Sequence, residues 1–260
     1  MNKTNTIEST RPCKLVDFTN VDLTKFNLEK NQTETLYTEK SINELDLVLN
    51  EGSHLTYITF DKGEKESTNL LKASLKRDAK LEIYNVVTSN TCAQIKSNIT
   101  LEEEGACVNI INLLLLGKDA SLDSKIDIYH QTKHTESDLS NYAIAKDNAV
   151  LVLDNNATIK QKASKSVAHQ STKGLTLSKN AKIKALPNLY IDEYDVIASH
   201  ACSIGSVNKE DLFYLMSRGL TETEANKIVV MGYVKPILDH IEDENLKKQI
   251  ETEFANKLMN

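Results

Sequence analysis

Short stretches rich in β-branched, leucine and aromatic residues recur through most of the chain, and several alternate apolar with polar residues. Three examples are LTYITF (Leu55–Phe60), SKIDIY (Ser124–Tyr129) and VLVL (Val150–Leu153). A period of two is typical of strands, because successive side chains point to opposite faces of a sheet. The chain contains no Asn-Gly dipeptide, the strongest short-range signal for a tight hairpin. The pattern therefore predicts many short strands that are not joined by tight hairpins.

A four-residue pattern recurs among these stretches: Asp, Asn or Gly, then Ala, then any residue, then Leu, Val or Ile. A first residue that tolerates a left-handed backbone can form a corner, and a small Ala fits the inside of that corner. The branched fourth residue then opens the next strand. The copies are Asp78–Leu81, Gly105–Val108, Asp119–Leu122, Asn148–Leu151, Asn156–Ile159 and Asn180–Ile183, with a looser one at Gly52–Leu55.

The spacing of these copies indicates a coiled architecture. Neighbouring copies lie 8 to 29 residues apart, as expected for different corners of coils with a period of about two to three dozen residues. Repeated corners and short strands favour a β-solenoid, here a right-handed parallel β-helix, over an antiparallel sandwich. An ordinary β-sandwich with chance alanine repeats is the alternative that the pattern leaves open.

The last quarter of the chain has a helical pattern instead. Asn208 is a suitable N-cap for a first helix, and Arg218-Gly219 supplies a basic last turn and a C-terminal glycine. Thr221-Glu-Thr-Glu224 is a capping box for a second helix, which Pro236 is expected to kink or end. A third helix is predicted from about Asp243. The predicted buried residues are Leu212, Leu215 and Met216 in the first helix, Ala225, Ile228, Val229 and Gly232 in the second, and Leu246, Ile250, Phe254 and Leu258 in the third.

The fold is thus predicted to be mainly β, with three parts along the chain. Residues 1–40 are an N-terminal extension, residues 41–205 form the parallel β-helix, and residues 206–260 form a small helical domain. These helices are expected to cap the β-helix. The segment Leu212–Leu215 is a candidate for covering its open end, where strand edges would otherwise be unpaired.

Composition and charge narrow the classes of partner. The 31 basic and 37 acidic residues give a net charge of -6, and the basic residues are scattered, so no nucleic-acid partner is expected. The longest apolar run, Ile110–Leu116, is interrupted by Asn112 and is too short to cross a membrane. The N-terminal sequence lacks the apolar core of a signal peptide, so a cytoplasmic protein is expected. Four dispersed cysteines without a CxxC motif favour reduced thiols.

One stretch, SHACSIG (Ser199–Gly205), contains a candidate site. His200 and Cys202 are two residues apart, so they lie on one face if this stretch is a strand. Imidazole and thiolate both bind zinc and iron–sulfur centres, but two ligands do not close a site, and others would have to come from elsewhere. The alternative is structural: Cys202 as a small buried residue and His200 as a hydrogen-bonded residue at the rim. His130 and His134, in a polar stretch, are interpreted as solvated loop histidines.

Three segments near the C-terminus resemble the SufB/SufD family of iron–sulfur cluster assembly proteins. They are AHQSTKGLTLSKNAKIKALPNLYI (Ala168–Ile191), SHACSIG, and EDLFYLMSRGLTETEA (Glu210–Ala225). The resemblance implies a parallel β-helix flanked by helices. It also implies a scaffold subunit rather than an enzyme: SufB and SufD pair through their β-helices, and their C-terminal helices each bind SufC, an ABC-type ATPase. A cluster forms transiently at the seam, and no stably bound one is expected.

The resemblance also assigns residues. His200 matches the SufD-side histidine proposed as a cluster ligand, and Cys202 replaces an alanine of that motif, so it is a possible second ligand. SufB has acidic neighbours where this chain has Ser199 and Ala201, and an essential cysteine near Thr172; these differences favour a SufD-like chain. Typical members have a longer N-terminal helical region, so the chain is identified as a short form.

The partners implied are a SufC-type ATPase and either a SufB-type paralogue or a second copy of the chain. The segment from Asp211 to Ile241 is predicted to bind the ATPase, with Phe213, Tyr214 and Arg218 as the candidate contacts. The rival classes are a carbohydrate-processing β-helix enzyme and a purely structural solenoid. Sugar-cleaving activity would favour the first, and failure to bind an ATPase or a cluster would favour the second.

Overall fold

The computed structural model describes residues 15–17, 24–39, 44–238, 241 and 243–259. Within these residues the chain forms fifteen strands and three helices. The strands are β1 (Leu15–Asp17), β2 (Lys25–Leu28), β3 (Thr33–Thr38), β4 (Leu45–Leu49), β5 (His54–Asp61), β6 (Ser67–Leu75), β7 (Lys80–Ser89), β8 (Ala93–Leu101), β9 (Cys107–Leu116), β10 (Ser121–His130), β11 (Glu136–Ala145), β12 (Val150–Ile159), β13 (Val167–Thr176), β14 (Lys182–Ile191) and β15 (Ile197–Ser206). The helices are α1 (Lys209–Ser217), α2 (Glu222–Leu238) and α3 (Glu244–Met259).

The strands form two parallel sheets. The odd-numbered strands make an eight-stranded sheet, here called the odd sheet, and the even-numbered strands make a seven-stranded sheet, the even sheet. Each strand pairs in parallel with the strand two places further along the chain. The chain therefore alternates between the sheets and winds as a solenoid. The predicted parallel β-helix followed by helices is confirmed.

The solenoid begins earlier than predicted. β2 pairs with β4 and β3 pairs with β5, so strands within residues 1–40 already belong to the sheets. Residue 41 is therefore not the start of the β-helix. The expectation of a separate N-terminal extension is wrong for these strands, because their apolar residues fill the first coils: Phe26, Leu28 and Leu36 are buried.

The alanine pattern marks corners at five of its six positions. The alanines at these corners are buried, since they point into the space between the sheets: Ala79, Ala106, Ala120, Ala149 and Ala181. The left-handed residue is the first of the pattern in two copies, with φ of 53° at Asp78 and 79° at Gly105. In the copies at Asp119 and Asn148 it lies one residue earlier, at Lys118 (φ 54°) and Asp147 (φ 57°).

The sixth copy is not a corner. Asn156–Ile159 lies inside β12, where Ala157 and Ile159 face the core and Asn156 is an ordinary strand residue. A four-residue pattern with only one fixed residue, Ala, also occurs by chance in a strand whose residues alternate between the core and the outer face. The copy at this position was therefore misassigned from the sequence.

The helix boundaries follow the predicted capping residues. Asn208 accepts a hydrogen bond from the Glu210 amide at 2.9 Å. The helix α1 ends at Ser217, with Arg218 as its C-cap and Gly219 following with φ of 94°. At the start of α2, the Thr221 amide donates to Glu224 Oε2 at 2.8 Å, and the Glu224 amide donates back to Thr221 Oγ1 at 3.3 Å. This reciprocal pair is a capping box. The helix α2 ends at Leu238, two residues beyond Pro236.

The buried face of α2 differs from the predicted one. Ala225 is buried as expected, but Ile228 is 49% exposed and Gly232 is exposed. The buried residues are instead Val230, Val234 and Leu238. The stripe was predicted out of phase after the first turn, because apolar residues occupy all three positions of Ile228–Val230. In α3 all four predicted residues are buried: Leu246, Ile250, Phe254 and Leu258.

The helices lie along the side of the solenoid and leave its end open. α2 contacts β9 and β11, and α3 contacts β7, so both pack on the outer face of the odd sheet. Gln249 of α3 also donates to Glu39 Oε1 at 2.8 Å, close to the first coils. α1 has no buried residue; it packs mainly on α2, and its half-buried Leu212 contacts the apolar cluster between the helices and the odd sheet. The expectation that Leu212–Leu215 covers the open end is wrong, because these helices have their apolar partners on the side. No helix in the described part of the chain has the length and apolar character needed to span a membrane.

Candidate functional site

The last strand of the odd sheet, β15, is bonded on one side only. It pairs with β13, and none of the described strands lies on its other side. A free edge exposes a row of backbone N–H and C=O groups that can bond another chain. β15 contains no Lys, Arg, Asp or Glu, the charged residues that commonly protect such edges. The end of the solenoid therefore presents an unprotected edge ten residues long.

The even-numbered residues of β15 face the interior of the solenoid. A Cβ added at Gly174 of β13 would lie 2.9 Å from the Ile204 side chain and 3.3 Å from that of Ile183 in the even sheet. The Ile204 side chain thus lies on the face that is turned toward the other sheet. Because side chains alternate along a strand, His200 and Cys202 belong to the same inward-facing set.

The odd-numbered residues of β15 belong to the outer face. The His169 ring Nδ1 lies 2.7 Å from the Ser199 hydroxyl, and the two residues are register partners in β13 and β15. Ser199 is therefore a surface neighbour of His200 that points the other way.

A ladder of polar side chains runs through the interior and ends at Cys202. Asn85 Nδ2 donates to Asn112 Oδ1 at 2.8 Å, and Asn112 Nδ2 donates to Asn141 Oδ1 at 2.7 Å. Asn141 Nδ2 then donates to Thr172 Oγ1 at 3.2 Å. Every bond has its donor on the earlier coil, so the ladder has one direction. The register positions that define it are Thr59, Asn85, Asn112, Asn141, Thr172 and Cys202.

His200 ends the adjacent inward-facing column. The earlier members of this column are buried: Tyr57, Ile83, Ile110, Leu139 and Gln170. Gln170 is the register partner of His200 and is only 4% exposed. Its Nε2 donates to the Asn188 carbonyl of β14 at 3.3 Å, whereas its Oε1 is buried and has no hydrogen-bond partner.

His200 and Cys202 are both exposed, because no further coil covers them. The alternative in which Cys202 is a buried apolar residue therefore does not describe the isolated chain. No group of three or more His, Cys, Asp and Glu residues suited to a metal occurs among the residues that the structure describes. Two side chains do not complete a metal site, so a site that used this pair would need further ligands from a second molecule. Their role as ligands stays a prediction.

Large apolar side chains surround this pair at the open end. Ile197 is 63% exposed and Tyr190 is 55% exposed, and Ile191, Tyr194 and Ile204 are also exposed. These residues belong to the last strands and the corner between them. Exposed apolar side chains beside a free strand edge indicate a surface that another protein covers.

Two further cysteines and two further histidines lie on earlier coils: Cys92, Cys107, His130 and His134. Cys92 is exposed on an earlier coil, and Cys107 is half-buried, which raises the pKa of its thiol. Cys13 lies outside the described residues. His130 is fully buried at the end of β10, so the expectation of a solvated loop histidine is wrong for it; His134 lies in a turn with φ of 56°.

A second exposed apolar surface lies on α1 and is here called the α1 patch: Phe213, Tyr214, Met216 and Arg218. Phe213 is 76% exposed and Tyr214 is 57% exposed. The Arg218 guanidinium stacks 5.2 Å from the centre of the Tyr214 ring and donates to its hydroxyl at 3.3 Å. The structure thus brings the predicted ATPase contacts together on one free helix, and that interaction stays a prediction.

The fold defines a parallel β-helix protein whose last strand in the odd sheet has a free edge. A family model described as the SufBD core domain of the SUF system for FeS cluster assembly matches residues 27–233. This match covers most of the chain, and the chain belongs to that family. The resemblance found in the three C-terminal segments is confirmed.

Individual relatives agree with this assignment. The chain is 29% identical over 217 residues to the iron–sulfur cluster assembly protein SufD of Bacillus subtilis, which covers 82% of this chain and 49% of the relative. It is 22% identical over 214 residues to an iron–sulfur cluster assembly SufBD family protein of Staphylococcus saprophyticus, with 81% of this chain and 46% of the relative covered. The chain spans about half the length of these two relatives.

Proposed function

We propose that the chain is a scaffold subunit on which an iron–sulfur cluster is assembled transiently, at the seam between its open end and a partner solenoid. Membership of the SufBD family places the chain in iron–sulfur cluster assembly. The observation that carries the finer proposal is the position of His200 and Cys202. Both end inward-facing columns at the free edge of β15, which is available to bind another chain.

The chemistry of the pair suits transient binding of a cluster as cargo. A soft thiolate and a borderline imidazole both bind iron in iron–sulfur centres. Two ligands from one chain hold a cluster only while a partner supplies the others. Separation of the two chains would therefore release it. A scaffold needs this behaviour, whereas a protein that keeps its cluster surrounds it with a full set of thiolates.

The partner at the open end is a SufB-type paralogue or a second copy of this chain. β15 has no charged residue apart from a titratable histidine, so two copies can meet edge to edge without placing like charges opposite each other. A SufC-type ATPase is proposed at the α1 patch, because this patch contains three of the exposed large apolar side chains that the structure describes on the helices: Phe213, Tyr214 and Met216. The subunit itself is proposed to be a non-enzyme that acts in the cytoplasm.

Co-purification tests this proposal directly. The full chain, tagged and expressed in its native cell, is expected to bring down an ABC-type ATPase together with a second β-helix chain or an untagged copy of itself. Recovery of the chain alone, without iron, would contradict the proposal and favour a purely structural solenoid. Cleavage of polysaccharides by the purified chain would favour a carbohydrate-processing enzyme instead.

A further inference from the structure

We propose that Gln170 and Thr172 are positioning residues that prepare His200 and Cys202 for binding the cluster. This inference rests on the proposed function of the open end. Gln170 lies directly beneath His200 in the parallel register, and Thr172 lies directly beneath Cys202. Gln170 and Thr172 each have one hydrogen-bonding group without a partner. This group is an acceptor in Gln170, as a histidine ligand requires, and a donor in Thr172, as a thiolate ligand requires.

The unused group of Gln170 is an acceptor. Its Oε1 is buried without a partner, while its Nε2 donates to Asn188 in β14, so the amide reaches toward the last coil, which also carries His200. A buried acceptor without a partner is unfavourable, because it has lost its hydrogen bonds to water. The imidazole N–H of His200 can supply the missing donor. That bond would fix the tautomer of the ring and leave the other nitrogen free to bind iron.

The unused group of Thr172 is a donor. Its oxygen accepts from Asn141 at 3.2 Å, and its hydroxyl proton has no acceptor within the part of the chain that is described. The Thr172 hydroxyl can therefore donate to the residue at the last register position of the ladder, which is Cys202. A hydrogen bond from this hydroxyl to sulfur stabilises a thiolate ligand.

The match between the two pairs is specific. A histidine ligand needs an acceptor for its second nitrogen, and a thiolate ligand needs a donor. A carbonyl group beneath the sulfur would offer no donor to a thiolate, because a carbonyl oxygen only accepts hydrogen bonds. Both upper side chains are exposed and free to turn toward their partners, since no further coil covers them.

For Gln170, the test is the tautomer of His200, measured by long-range proton–nitrogen NMR on the full-length labelled chain. The His200 signals are assigned by their loss in His200→Gln. Wild type is expected to show one dominant tautomer, Gln170→Leu a mixture, and Gln170→Glu, which keeps the acceptor, one tautomer again. An unchanged tautomer in a folded Gln170→Leu chain would overturn the role of Gln170.

For Thr172, the test is the rate at which iodoacetamide alkylates Cys202 at neutral pH, followed by mass spectrometry of its peptide. Thr172→Val is expected to change the rate about threefold, because the reacting sulfur loses the hydroxyl group that donates to it. Thr172→Ser and the outward-facing control Ser171→Ala are expected to react like wild type. Equal rates in all four chains would overturn the role of Thr172.

These readouts need no iron, so they separate the inference from the proposed function. If the tautomer and the alkylation rate respond as expected but His200→Ala binds a cluster normally, the positioning contacts exist and the proposed function fails. If neither responds while His200→Ala loses the cluster, the proposed function holds and the positioning inference fails.

Discussion

At the scale of single residues, the buried His130 makes the stability of the solenoid depend on pH. Its Nδ1 lies 2.8 Å from the Thr135 hydroxyl and its Nε2 lies 2.9 Å from the Ser137 hydroxyl. The Thr135 hydroxyl is in turn 2.9 Å from that of Ser166, on the next coil. Burial lowers the pKa of His130 to about 4 from an ordinary value of 6.5. The ring is therefore neutral in the folded chain under conditions where the unfolded chain would protonate it.

We predict that this histidine destabilises the fold as the pH falls. Above 6.5 neither state binds the proton, and between 6.5 and 4 only the unfolded state does, so stability falls through that window. The contribution at pH 5 is a loss of about 2 kcal/mol relative to pH 7. Urea unfolding at both pH values measures it. His130→Gln should lack this loss and the exposed control His134→Gln should retain it; equal pH dependence in both variants would contradict the prediction.

The interior asparagine ladder is a second feature at the residue scale that affects the stability of the fold. Asn112 is fully buried and bonds Asn85 on one side and Asn141 on the other. We predict that Asn112→Ala lowers the free energy of unfolding by about 3 kcal/mol, because a buried donor and a buried acceptor both lose their partner. Asn98→Ala, at an exposed position of β8, is the control and should change it by less than about 0.5 kcal/mol. A loss below about 1 kcal/mol for Asn112→Ala, measured by urea unfolding, would show that the ladder does not stabilise the core.

At the scale of the elements, α1 is a helix that contributes no buried residue to the core. None of its residues is buried, and its apolar side chains Phe213, Tyr214 and Met216 face solvent. We predict that Phe213→Ala combined with Tyr214→Ala weakens binding of a SufC-type ATPase at least about tenfold, since exposed aromatic residues commonly dominate interface energy.

The stability of the chain is the control for this prediction. The double variant should unfold at the same urea concentration as wild type, because the two side chains make few intramolecular contacts. Asn256→Ala, exposed on α3, should bind the ATPase normally. Undiminished binding of the double variant in calorimetry would place the ATPase on another surface.

The sequence predicted those elements that depend on local chemistry. The corner alanines, the capping box at Thr221 and the N-cap Asn208 each act within a few residues, so their outcome can be worked out from the sequence. The buried face of α2 could not be worked out in this way. Ile228, Val229 and Val230 are all apolar, and only packing against the solenoid determines which of them is buried. The place where the helices pack was mispredicted for the same reason.

At the scale of the whole molecule, the parallel register stacks residues that are far apart in the sequence into columns. His200 and Cys202 were predicted to share a face, and the alternation of β15 places them so. The asparagine ladder and Gln170 were not found from the sequence, because their spacings of 27, 29 and 31 residues vary with corner length. Inward-facing asparagines that recur once per coil were the available signal. Only the register shows that these residues lead to the candidate ligands.

The open end of the solenoid is proposed to hold an iron–sulfur cluster through His200. The most direct test is reconstitution of the assembled complex, as purified from its native cell, with ferrous iron and sulfide, followed by visible absorbance. Wild type and the outward-facing control Ser199→Ala are predicted to develop the charge-transfer bands of a cluster, and His200→Ala is predicted to lose most of them. Cys202→Ala should lose part of the absorbance if its sulfur is the second ligand. Normal loading of a folded His200→Ala complex would contradict the account.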